Sequence, residues 1–290
     1  MAEFKKITKA VIPAAGLGTR MLPISKSVPK EVLPIVDRPA ISYLVEEAAN
    51  AGVTDILIIT SRDKDAIENY FDRSPEYEYK LKAAERQRDL DLIAHTDFGV
   101  RIHYFRQREA NGLGQAISLA ETFSGGDPFF VLYGDDVIFS DVPVCAQLEL
   151  AYRKHGLATA GVGRVSDELV CKYCTLDARE LDDGYYHVTN MIEKPKAEDI
   201  ITNFSVLGRV ILTSEIFDIL RVLPVGTGGE LQLTDAMGEL SRTSGMTAVE
   251  FEGQRFDLGS KLGLMMANVT QALCHPEIGE DFRAFLKTVQ

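Results

Sequence analysis

Apolar positions along the chain fall into short runs, separated by segments with the three-to-four-residue spacing of a helix. Ile7–Ala15 is a largely apolar run that ends in Gly16, the pattern of a buried strand feeding a tight loop. From Pro39 to Gly52, Ile41, Leu44, Val45, Ala48 and Ala49 recur at i, i+3, i+4, i+7 and i+8. With proline in the first turn and glycine just past the end, that spacing predicts an amphipathic helix. Val53–Thr60 reads as a second buried strand. The order then returns, with Val100–Phe105 as a strand, Gly114–Phe123 as a helix, and Phe129–Tyr133 as a strand that stops at Gly134-Asp135-Asp136. Alternation of this kind predicts a mostly parallel sheet with helices on both faces.

The second half reads differently. Leu157–Val165, Tyr173–Leu176, Tyr185–Glu193 and Phe204–Leu212 have strand character with few helices between them, so this half is expected to be more antiparallel. Helices return at Gly229–Arg242 and Lys261–Ala272. The charge-rich segment Pro75–His95 reads either as a solvated surface helix or as a lid or subunit contact. No repeat, low-complexity tract or linker divides the chain. The expectation is one α/β domain over residues 1–290, Rossmann-like, with a mixed, mostly parallel central sheet flanked by helices.

Charge narrows the function classes. The 290 residues carry 31 Lys and Arg against 43 Asp and Glu, a net charge of −12, and no dense basic run. Sequence-independent binding to nucleic acid needs clustered cations to displace phosphate counterions, so that class is set aside. A small anionic substrate remains open wherever a few cations converge. Ala10–Ala15 is far shorter than the roughly 20 apolar residues that cross a bilayer, and the first residues lack a secretory core. A cytoplasmic protein without membrane partners is expected. The four cysteines, Cys145, Cys171, Cys174 and Cys274, are too scattered for a disulfide framework. Cys171 and Cys174 form one C-x-x-C, but no second pair follows to complete a structural zinc site.

The loops carry the chemistry. In an open α/β sheet, ligands bind outside the carboxyl ends of the strands, and the loops after Ala15, Phe105 and Tyr133 all fall at that edge. Gly16-Leu17-Gly18-Thr19-Arg20 offers bare backbone N–H groups suited to phosphate, with Arg20 and Lys30 as nearby cations. Two familiar phosphate loops are excluded. Met21 stands where a dinucleotide fingerprint needs its third glycine, and no Gly-Lys-Ser/Thr completes a Walker motif.

The stretch from Gly16 to Pro39, GLGTRMLPISKSVPKEVLPIVDRP, resembles the signature of the sugar-1-phosphate nucleotidylyltransferases. Within that family it is most similar to the bacterial UTP–glucose-1-phosphate uridylyltransferase (UDP-glucose pyrophosphorylase) branch. Further matches follow in family order at Gly112-Leu-Gly, Gly134-Asp-Asp, Glu193-Lys-Pro-Lys, Gly229-Glu-Leu-Gln-Leu-Thr-Asp-Ala and Asp257-Leu-Gly-Ser-Lys-Leu-Gly. The resemblance implies the nucleotide-diphospho-sugar transferase fold, with about residues 1–140 as the nucleotide half and about 141–290 as the sugar half with the C-terminal helices.

It also implies transfer of UMP from UTP to glucose 1-phosphate with Mg²⁺, by a homo-oligomer (dimer or tetramer). Arg20 and Lys30, with Lys26 as a weaker candidate, would face the leaving phosphates. Asp135 and Asp257 would hold the metal, with Asp136 beside them. Lys194 would neutralise the sugar phosphate, and Glu193 would accept from sugar hydroxyls. Gln107, with backbone near Ala14, Ala15 and Gly112, would select the base, while Gly16 would lie against the nucleotide. Tyr173 and Glu230 are further sugar-side candidates. Cys174 departs from the pattern, since relatives carry glycine there, and this bears on sugar specificity. A thymidylyltransferase is the nearest alternative; an NAD-binding or nucleotide-sensing protein and a non-catalytic scaffold are more distant ones.

Overall fold

The computed structural model describes residues 4–94 and 96–289. Nine strands form the central sheet: β1 (Lys9–Pro13), β2 (Asp55–Thr60), β3 (Arg101–Arg106), β4 (Phe129–Leu132), β5 (Ala158–Arg164), β6 (Cys174–Glu180), β7 (Tyr186–Glu193), β8 (Phe204–Leu212) and β9 (Met246–Glu250). Their spatial order is β3-β2-β1-β4-β8-β5-β9-β7-β6. The first four pair in parallel, whereas β8 runs antiparallel to both β4 and β5, and β7 antiparallel to both β9 and β6. Since β5 and β9 pair in parallel, only β7 and β8 oppose the common direction. The sheet is therefore mixed and mostly parallel, as the two halves of the sequence predict.

Alternation along the strands divides the core into two layers. Ile12, Ile56 and Ile58 face one side, packing with Ile41, Leu44 and Val45 of the helix Ala40–Asn50 and with Leu148 of the helix Val144–His155. Val11, Leu57 and Ile59 face the other, against Ile117, Leu220, Leu233 and Leu240 from the helices Leu113–Ser118, Glu215–Val222 and Leu233–Thr243. Strand residues buried on both faces explain why the first strands read as unbroken apolar runs.

Several boundaries differ from expectation. The predicted helix Gly114–Phe123 divides into Leu113–Ser118 and Glu121–Ser124. The charged segment forms two helices, Pro75–Ala83 and Gln87–Ala94, separated at Glu85 with φ 56°, and His95 lies outside the described residues. In the first of these helices only Leu81 is buried, so polarity carries it over the surface. The helix expected from Gly229 begins at Leu233, because Gly228 and Gly229 take φ of 77° and 75°. A ribbon of Asp136–Phe139 with Gln254–Asp257 was not foreseen in the sequence; its antiparallel register sets Asp257 opposite Asp136. No helix among the described residues is long and apolar enough to cross a membrane.

Candidate active site

The carboxyl ends of β1, β2, β3 and β4 share one edge, and their loops enclose a cleft in two lobes. The larger, about 410 Å³, is lined by the glycine loop, Lys30, Gln107, Gly112, Asp135 and Glu230. The smaller, about 170 Å³, is lined by Arg20, Tyr173, Cys174, Glu193 and Asp257. Leu113, Tyr133 and Asp135 border both lobes. Larger hollows of about 600 and 560 Å³ lie elsewhere, but neither includes the glycine loop or the Asp135 turn.

Two glycines set the spacing of these loops. A Cβ on Gly134 would sit 2.5 Å from the Pro13 carbonyl oxygen, so only glycine lets the Asp135 turn press against the end of β1. Gly112 has φ 100°, and a Cβ there would meet the Leu231 carbonyl oxygen at 2.5 Å. That contact joins the loop after β3 to the segment carrying Glu230.

Charge concentrates where the lobes meet. Asp135 accepts from Lys30 Nζ at 2.6 Å and from Arg20 Nη2 at 3.4 Å. Arg20 Nη1 donates to Asp257 Oδ2 at 3.1 Å, and the Tyr173 hydroxyl donates to the same oxygen at 3.3 Å. Asp257 Oδ1 accepts from the Gly259 backbone N–H at 2.9 Å. Burial pushes the Asp135 carboxyl up, but Lys30 and Arg20 more than offset this and leave it below the usual carboxylate range. For Lys30, burial opposes the charge, yet Asp135 and Glu31 raise its affinity for a proton above the ordinary lysine value. Asp135, Lys30 and Arg20 are therefore all charged at neutral pH.

The guanidinium of Arg20 bridges Asp135 and Asp257, so two carboxylates already converge on one cation. A divalent ion makes the same demand on hard anionic oxygens and takes its remaining ligands from substrate phosphates and water. The pair fits such an ion. Among the described residues no cluster of three or more His, Cys, Asp or Glu is placed to hold a metal.

Asp136 borders the smaller lobe, where its carboxylate faces Arg255. Its side chain is 5 % exposed, and Oδ1 lies 2.6 Å from Arg255 Nη2 in a close charge contact that is poorly aligned for a hydrogen bond. Burial raises its carboxyl to about 6 despite Arg255. Gln107 lines the larger lobe but is buried and donates to Gln115, while its backbone N–H donates to the Thr60 carbonyl at 2.8 Å. Glu230 accepts from Gln232 at 3.1 Å. Ala14 and Ala15 are buried at the end of β1, and Gly16 opens towards Lys30 Nζ. Lys26 is exposed and lines neither lobe.

Glu193 lines the smaller lobe, and burial raises its carboxyl. Lys194 is half-exposed at φ 44°; its backbone N–H donates to the Tyr173 carbonyl at 2.7 Å, and its ammonium stands 3.7 Å from Glu193. The Cys174 sulfur accepts from the Val206 backbone N–H at 3.3 Å and packs in the core, with its thiol pushed up to about 12 by burial. The side chain therefore directs its sulfur inward, although Cys174 still borders the lobe.

Three ion pairs at and behind the cleft wall escape sequence reasoning, with Glu31 bordering the larger lobe and Asp136 and Arg255 the smaller. Lys64 meets Glu31 at 2.8 Å beneath the glycine loop, Arg255 meets Asp136, and Arg209 meets Glu47 at 2.7 Å. Each joins residues far apart in the chain, so no local pattern pairs them.

Residues 9–272 match the family described as Nucleotidyl transferase. The chain is 45% identical to the UTP–glucose-1-phosphate uridylyltransferase YngB of Bacillus subtilis, covering 98% of this chain and 96% of the relative. It is 43% identical to the UTP–glucose-1-phosphate uridylyltransferase of Staphylococcus epidermidis, over 98% of each. Among solved structures, the UTP-bound UGPase from Acinetobacter baumannii superposes with a TM-score of 0.90 at 36% identity, covering 98% of this chain and all of that one. A UDP-glucose pyrophosphorylase complexed with UDP-glucose gives 0.82 at 39% identity, covering 91% and 98%.

Proposed function

The chain belongs to the nucleotidyl transferase family, and from that premise we propose that it transfers UMP from UTP to glucose 1-phosphate, releasing pyrophosphate and forming UDP-glucose. The observation that carries the reading is the meeting of Arg20, Lys30, Asp135 and Asp257 at the junction of two lobes, one beside the glycine loop and one beside Glu193.

The reaction asks little of side-chain proton chemistry. A phosphate monoester has a second pKa of about 6, so the sugar phosphate is mostly dianionic at neutral pH and needs no general base. Its oxygen attacks the α-phosphorus, and the bond to the pyrophosphate oxygen breaks. The obstacle is repulsion between two polyanions, and catalysis reduces to alignment and charge stabilisation. The backbone of the glycine loop receives the triphosphate. Lys30 and Arg20 exchange their carboxylate partners for phosphate oxygens as charge grows on the leaving group. Lys194 holds the sugar phosphate, and Glu193 accepts from sugar hydroxyls. Asp135 and Asp257 hold the divalent ion, Mg²⁺ in this reading, which when bound neutralises phosphate charge as a Lewis acid.

A pyrophosphate-release panel tests this, with UTP, dTTP and other nucleotides against several sugar 1-phosphates. Release should require UTP, glucose 1-phosphate and Mg²⁺ together and should cease in excess EDTA. Preference for dTTP would move the chain to thymidylyl transfer, and turnover unchanged by EDTA would remove the metal from Asp135 and Asp257.

A further inference from the structure

The loop after β2 sends one lysine beneath the glycine loop. Asp63 takes φ 66°, and the turn it makes directs Lys64 inward at the start of the helix Asp65–Phe71. The Lys64 ammonium is buried and donates to the Ala14 carbonyl, to the Gly16 carbonyl at 2.8 Å, and to both oxygens of Glu31 at 2.9 and 2.8 Å. Its three N–H donors are thus all committed. It lines neither lobe of the cleft.

A peptide unit is planar and trans here, so its C=O and N–H point to opposite sides. Drawing the carbonyls of Ala14 and Gly16 down onto Lys64 therefore turns the N–H groups of Ala15 and Leu17 away from it, and both residues line the larger lobe. A flipped peptide in this glycine loop would instead present carbonyl oxygen to the substrate and repel phosphate. Glycine makes such a flip sterically easy at the Gly16–Leu17 peptide, so something outside the loop must oppose it there.

We propose that Lys64, held by Glu31, is a positioning residue that fixes the peptide orientation of residues 14–17 and so sets the affinity for the nucleoside triphosphate. This rests on the nucleotidyl-transfer reading, but it concerns the phosphates and not the base. It therefore applies to whichever nucleotide the wild-type panel selects.

The test separates this role from that of a buried strut. Lys64→Met leaves Glu31 buried without its partner, so the protein should melt lower and bind UTP more weakly. Lys64→Met combined with Glu31→Leu removes both charges, and its melting temperature should return towards wild type, since an apolar pair can replace a buried ion pair. UTP affinity, measured on the full chain by calorimetry without glucose 1-phosphate, should stay about ten- to hundredfold weaker in the double variant, the loss expected for charge-assisted hydrogen bonds withdrawn from the loop. The KM for glucose 1-phosphate should hold near wild type. Should the single variant fail to fold, the double variant still carries the comparison. UTP affinity that recovers together with the melting temperature would overturn the proposal. A wild-type enzyme that prefers another nucleotide overturns the uridylyl reading alone, and the same variants are then titrated with that nucleotide.

Discussion

Ion pairs of two kinds meet in this molecule, and they differ in what surrounds them. In the cleft, Arg20 is largely exposed and divides its contacts between Asp135 and Asp257 at 3.4 and 3.1 Å. Behind it, Arg209 is 1 % exposed and spends every donor group of its guanidinium on fixed acceptors: both Glu47 oxygens and the carbonyls of Asp136 and Gly208. Water and ligand can replace a partner in the first setting and cannot in the second. Cleft pairs therefore leave their charges open to exchange, while the Arg209 pair is fixed in place. Separating a buried pair leaves a stranded charge, whereas separating a cleft pair costs little in folding and much in chemistry.

That contrast can be broken most decisively at Asp135. Asp135→Asn keeps the shape and an acceptor for Lys30 but removes the negative charge. Steady-state kinetics should show a loss of about a thousandfold in kcat, with a melting temperature close to wild type. Wild-type rates would take the metal away from this residue. The opposite pattern is expected of Arg209→Met, which should cost about 3–5 kcal/mol in denaturant unfolding by stranding Glu47. Activity per folded molecule should largely survive, and adding Glu47→Leu should recover most of the lost stability. If Arg209→Met unfolds like wild type, the two classes of pair are not distinct.

A smaller effect separates the lobes. Lys194→Ala should raise the KM for glucose 1-phosphate about tenfold or more, since one charge-assisted contact to phosphate is lost. UTP binding should change little, and equal weakening of both substrates would end the division of roles between Lys194 and the glycine loop. Smallest is a pair remote from the cleft. Asp55 accepts two hydrogen bonds from Arg101 at 2.7 Å each, which hold its carboxyl well below the usual range. The folded state therefore binds fewer protons here than the unfolded one. The stabilisation is full above about pH 4 and is lost as the pH falls. At this partly exposed edge Asp55→Asn should cost no more than about 1 kcal/mol at neutral pH and should soften the acid limb of a pH–stability curve.

Sequence reading reaches what is local. β1, β2 and the helix Ala40–Asn50 are legible because burial imposes a short-range period, and the turn Gly134-Asp135-Asp136 is legible because glycine and acid end an apolar strand. The resemblance in the Gly16–Pro39 stretch brings Arg20 and Lys30 to notice. Lys64 stays hidden because Ser-Arg-Asp-Lys-Asp looks like any solvated turn, and only the fold brings Glu31 to it. Arg209 is one cation within a largely apolar strand, and its partner lies 162 positions away. The sequence likewise marks a cysteine at 174 but not the inward direction of its sulfur, which depends on β8 supplying the Val206 N–H.

The short ribbon that sets Asp257 across from Asp136 has a corollary for how such an enzyme can be divided. A fragment ending after β8 would retain the glycine loop and its four parallel strands, yet lack Asp257, one of the two acids that meet at Arg20. Split-protein designs that cut between residues 213 and 253 should therefore give halves that are each inert, with turnover returning only on reassembly.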